Sequence, residues 1–123
     1  MQIITVQSYP PSANNRLMPV RMGSGLRLVL SRVYREWKSR TACEIRAQNY
    51  YGEVLRGDLQ LTVWIQASGR RRDLDNILKC LQDAMQEAGV MRDDAQIKAL
   101  HVEIVPALND GKIMALIEPR RAA

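Results

Sequence analysis

Hydrophobic and polar residues alternate most clearly in Leu59-Gln60-Leu61-Thr62-Val63-Trp64-Ile65-Gln66. A period of two predicts a strand with Leu59, Leu61, Val63 and Ile65 on the core face. Trp64 interrupts the polar side and marks a place for packing against another element or subunit. Residues 2 to 8 read as a first strand, stopped by Pro10-Pro11. From there to Gly25 two prolines, Pro19, Gly23 and paired asparagines predict a loop, followed by a short strand from Leu26 to Leu30. Ser31 is placed to cap a helix from Arg32 to about Gln48, with Val33, Trp37, Thr41, Glu44 and Ile45 on one stripe. Asn49 to Gly52 ends it.

A second helix is predicted from about Leu74 to Ala88, burying Ile77, Leu78, Leu81, Ala84, Met85 and Ala88, and Gly89 stops it. Ile97 to Val105 and Lys112 to Glu118 read as strands joined as a hairpin across Asn109-Asp110-Gly111. The tail from residue 119 to 123 reads as frayed. The resulting expectation is one α+β domain over residues 1–123. It has a mixed, mainly antiparallel sheet and two helices in the order β-β-α-β-α-β-β.

A chain of 123 residues that is 46% hydrophobic and 25% charged supports one real core. The 18 Lys and Arg against 13 Asp and Glu, net +5, favour a polyanionic partner. No segment has the length and apolarity of a membrane span, and the N-terminus lacks a secretory pattern, so a cytoplasmic protein is expected. Cys43 and Cys80 fit no zinc or redox spacing and are expected as two buried free thiols. His101 is the only histidine and has no nucleophile motif near it.

The chemistry concentrates between Arg70 and Asp94. Arg70-Arg71-Arg72 leads into Asp73-Leu74-Asp75-Asn76, and Asp93-Asp94 follows the second helix. Cations that can hold phosphate beside acids that can hold Mg²⁺ are the parts of a metal-dependent nuclease. If the backbone is extended at Asp73, as at a strand-to-helix junction, Asp73 and Asp75 aim the same way. A turn after the helix can then return Asp94 to meet them. Lys79 lies one helical turn after Asp75, on the same face. The same residues also suit blander roles: an exposed Asp75-Lys79-Asp83 ladder, a surface turn at Asp93-Asp94 and a solvated arginine run.

Taken together, Arg72-Asp73-Leu74-Asp75-Asn76, Lys79 and Asp93-Asp94-Ala95-Gln96, with Pro10-Pro11-Ser12 and Asn14-Asn15 upstream, resemble the RusA family of Holliday junction resolvases. The likeness runs from that loop to about residue 105. It implies a homodimer, often prophage-encoded, that binds four-way junction DNA and makes paired symmetric nicks with Mg²⁺, for which Mn²⁺ substitutes. On the matching positions Asp73, Asp75 and Asp94 become the essential, metal-holding carboxylates and Lys79 the catalytic lysine. Arg70, Arg71, Arg72, Asn14, Asn15, Arg16 and Asn76 are expected at the DNA. No organic cofactor and no membrane are expected. A non-catalytic nucleic-acid-binding protein and a nuclease for other branched DNA are the competing readings, since acidic clusters do not encode substrate shape.

Overall fold

A computed structural model describes residues 1–48, 53–69 and 73–121. Among these, the strands are β1 (Gln2–Val6), β2 (Leu17–Met22), β3 (Gly25–Leu30), β4 (Leu59–Gln66), β5 (Ile97–Val105) and β6 (Ile113–Pro119). The helices are α1 (Arg32–Gln48) and α2 (Leu74–Glu87). Short 3₁₀ turns occupy Ala13–Asn15 and Asp94–Gln96. The α+β class with two helices is as expected from the sequence.

The main sheet has four strands in the order β1-β6-β4-β5. β6 is antiparallel to both β1 and β4, whereas β4 and β5 run parallel. Parallel neighbours need a crossover, and α2 supplies it, so β4-α2-β5 is a βαβ unit. The hairpin expected between β5 and β6 is therefore corrected: β4 lies between them. Asn109-Asp110-Gly111 does reverse the chain, and Gly111 takes φ +73°. A Cβ at Gly111 would meet the Val6 carbonyl oxygen at 2.7 Å, so the turn also needs glycine for its approach to β1. Turn chemistry sets the reversal but does not choose the neighbour.

Alternation in β4 is decoded as predicted. Leu59, Leu61, Val63 and Ile65 are buried against the helices, as are Ile113, Ala115 and Ile117 of β6. From α1 come Tyr34, Trp37, Thr41, Ala42 and Ile45. Trp37, Thr41 and Ile45 thus lie on the buried stripe as expected, but its first position falls at Tyr34, and Val33 is exposed. From α2 come Ile77, Cys80, Leu81, Ala84 and Met85, with Leu78 and Ala88 partly buried at the margin. Trp37 lies in this core and is closed to any partner, while Trp64 sits on the uncovered sheet face opposite Met114. Cys43, expected buried, is exposed; Cys80 is buried. The predicted helix stop at Asn49 to Gly52 lies outside the described residues.

The expected loop from Pro10 to Gly25 contains a strand, β2, which pairs with β3 in a separate two-stranded sheet. Pro19 is tolerated because β2 has only one neighbour, and an edge position needs no donor on its open side.

Ser31 caps α1 as predicted: its Oγ accepts from the Tyr34 amide at 3.1 Å and donates to the Asn15 carbonyl. One hydroxyl thus starts the helix and fastens the preceding loop.

Candidate active site

α2 begins where the sequence placed it. Asp73 is extended (φ −80°, ψ 110°) and is the N-cap, its Oδ1 accepting from the amides of Asp75 at 3.0 Å and Asn76 at 3.4 Å. This is the strand-to-helix junction that the paired carboxylates require. Asp75 falls in the first turn, where the exposed amides and the helix dipole favour negative charge. Both acids are exposed. One turn on, Lys79 Nζ stands 3.6 Å from Asp83 Oδ1. That pair is half-exposed and contributes little stability by itself.

Behind it lies a contact the sequence did not reveal. Tyr34, 1% exposed, donates its hydroxyl to Asp83 Oδ2 at 2.7 Å. Burial first, then the bond to Asp83, pushes the phenol's pKa well up, so it stays a donor. Asp83 is thereby fixed from α1 while it faces Lys79 from α2. Nothing in the period of α1 singles out Tyr34 for this, because a buried tyrosine reads as core.

The Pro10-Pro11 loop is drawn to the same end of α2. Asn76 donates Nδ2 to the Pro11 carbonyl at 2.9 Å. Trp37 Nε1 donates to Ser8, and Tyr9 donates to the carbonyl of Gln66 at the end of β4. Exposed Asn14 and Asn15 follow directly on this fastened loop. Asn76 itself is only 9% exposed, and its Nδ2 is engaged by the Pro11 carbonyl. Arg16 is also turned inward. It is half-buried, its Nε is closed off from solvent without a partner among the described residues, and its charge acts on Tyr34 and Cys80. Arg70, Arg71 and Arg72 lie outside the described residues.

Asp94 is placed elsewhere. It opens the 3₁₀ turn before β5, and its amide donates to Gln86 Oε1 at 3.2 Å, in the last turn of α2. Asp75 and Gln86 are separated by eleven residues of one helix, about 17 Å along its axis at 1.5 Å per residue. Strand register agrees. Leu59 pairs with Ile97 in parallel, so Asp94 lies near the start of β4, whereas Asp73 follows its end. Among the described residues no three His, Cys, Asp or Glu side chains could share a metal ion. The expected nest of Asp73, Asp75 and Asp94 is therefore not formed within one chain, and the residues of a single protomer do not fit a three-carboxylate cation site.

Asp93 and Gln96 form a capping box. Asp93 Oδ1 accepts from Ala95, and Gln96 Oε1 accepts from the amides of Arg92 and Asp93. Gln96 Nε2 reaches on to the carbonyls of Leu55 and Gly57. The box is legible in the sequence as an acid followed three residues later by Gln. Its reach to residues 55–57 is not.

Comparison with known proteins bears on this arrangement. Residues 8–118 match the family model described as Endodeoxyribonuclease RusA. A protein of Aquifex aeolicus (strain VF5) named Crossover junction endodeoxyribonuclease RusA is 33% identical over 85 residues, covering 68% of this chain and 65% of that protein. The protein of the same name from Escherichia coli (strain K12) is 31% identical over 96 residues, covering 68% of this chain and 80% of that one. A relative from Enterobacteria phage 82, with the same printed name, is 32% identical over 96 residues. The chain belongs to the RusA endodeoxyribonuclease family. The match spans slightly less than two thirds of the Aquifex relative.

Proposed function

We propose that this protein is a Mg²⁺-dependent endodeoxyribonuclease that resolves four-way DNA junctions by paired symmetric nicks, acting as a homodimer in the bacterial cytoplasm. The observation that carries the reading is the family match over residues 8–118, which contains Asp73, Asp75, Lys79 and Asp94. The phage relative supports a phage or prophage origin. No helix among the described residues is long and apolar enough to cross a membrane.

Asp73, Asp75 and Asp94 are the residues that would hold the cation, which supplies charge stabilisation for phosphodiester hydrolysis. The distance between the two ends of α2 gives the dimer a reason beyond the symmetry of the junction. A two-fold axis that lays two copies of α2 antiparallel sets the Asp73-Asp75 end of one copy beside the Asp94 end of the other. Lys79, on the exposed face between these ends, brings an ammonium to the negative charge that grows on the phosphate as it is attacked. Asp83, held by Tyr34, limits where that ammonium can swing. Exposed Asn14 and Asn15 would contact the strand beside the Asp73 end, and Arg70 to Arg72 would neutralise flanking phosphates.

A labelled synthetic four-way junction incubated with Mg²⁺, beside linear duplex and flap substrates, tests the reading. Paired nicks in opposed strands of the junction are expected, with duplex left intact. Binding without metal-dependent cleavage would favour a non-catalytic DNA-binding protein. Equal cleavage of flaps would widen the substrate to branched DNA in general.

A further inference from the structure

We infer that Arg56, Arg92 and Lys98 form a second DNA-phosphate site, in the groove whose floor is the turn carrying Asp94. The inference rests on the DNA-cleaving reading and adds to it where the strand runs at the far end of α2.

The groove has a volume of about 410 Å³ and is lined by these three cations with Asp58 and Asp93. Unlike Arg32, which pairs with Glu36 at 2.8 Å, none of the three makes an ion pair with any described residue. Three cations stand against two acids in the groove, and neither acid makes an ion pair with a described residue. A fourth cation stands at the rim, since Arg120 Nη1 donates to the Lys98 carbonyl at 3.4 Å.

The frame under these cations is fixed. Gln96 ties the turn to Leu55 and Gly57 at 3.1 and 3.0 Å, and the Leu55 amide donates to Val90 at 2.8 Å. Unpaired cations on a braced backbone are pre-organised for an anion. Asp94 lies between Asp93 and Ala95, both of which line the groove. A phosphate held there sits within a turn of a proposed catalytic acid. A polyanionic strand meets this need better than a single small anion, because three cations share one groove.

Neutralising contacts to DNA phosphates sets the salt dependence of binding. The affinity of a labelled four-way junction is therefore to be measured against salt for wild type, Arg56→Gln, Arg92→Gln, Lys98→Gln, the triple variant and Arg32→Gln. Each groove substitution should flatten the slope of log affinity against log salt by about 0.9, and the triple variant by about 2.7. Between 50 and 200 mM salt the wild type should then lose about 40-fold more affinity than the triple variant. Arg32→Gln should match wild type. Should the triple variant fail to fold, the three single variants carry the test. A steep wild-type slope that none of the groove substitutions changes would overturn the site and leave the nuclease reading intact. A wild-type chain whose junction affinity ignores salt would overturn both.

Discussion

Helix α2 is finished differently at its two ends. At the start, Asp73 spends one oxygen capping the helix, Asp75 stands exposed in the first turn, and Asn76 fastens an incoming loop through Pro11. At the far end, Asp93 does the capping, Gln96 fastens the neighbouring segment, and Asp94 is tied by its amide to Gln86. Each end pairs a capping acid and a tying amide side chain with one more acid whose side chain takes no part in the cap. The ends differ in what lies around them: Lys79 and the asparagine loop at the first, the Arg56-Arg92-Lys98 groove at the second. On the proposed reading neither end is a complete hydrolytic site by itself, since one lacks the third acid and the other lacks the pair and the lysine.

The sharpest break of this comparison is subunit mixing. Asp75→Asn and Asp94→Asn alone should each lower junction cleavage about 100-fold or more, the several kcal/mol of charge stabilisation that a bound cation provides. Mixed after co-refolding, the two variants should recover nicking, because one composite site of the mixed dimer keeps all three acids. A mixture as inactive as its components would show that the ends act separately. Lys79→Ala comes next. Single-turnover cleavage should slow by about 10²-fold or more with junction affinity changed only modestly. A collapse of affinity instead would make Lys79 a phosphate clamp.

Smaller effects concern the frame. Asn76→Ala leaves the Pro11 carbonyl without its partner and should cost about 1–3 kcal/mol in urea unfolding. An unchanged midpoint would show that the loop is held without it. Alkaline pH tests the packing behind Asp83. Burial pushes the Cys80 thiol up from 9.0 to about 11, and burial with the Asp83 bond raises the Tyr34 phenol further. Both groups bind their proton more tightly folded than unfolded. The Cys80 contribution is therefore complete below pH 9 and fades as pH rises through about 11, while that of Tyr34 is complete below pH 10 and fades above it, which urea midpoints across that range will show. Least of all, a thiol reagent at neutral pH should modify exposed Cys43 quickly and leave Cys80 protected until unfolding.

Much of this was legible residue by residue. The bounds of α1 and α2, the inward face of β4, the cap at Ser31 and the junction at Asp73 all follow from period and capping chemistry, which act over a few residues. The burial of Tyr34 in place of Val33 did not, because both suit a buried stripe equally well until a neighbouring element selects one. β2 was hidden by Pro19 and flanking glycines, whose local preferences give way when a partner strand is available.

Short-range rules thus settled which residues start, stop and line each element, and they set the acids, the lysine and the arginines in one 25-residue stretch. Which of those groups share a site was decided by β5 entering parallel to β4 rather than as a hairpin with β6. A parallel crossover returns the chain to the beginning of the sheet, so Asp94 is delivered to the opposite end of α2 from Asp73 and Asp75. Strand order is a long-range choice made by burial of whole faces, and no local pattern of residues contains it.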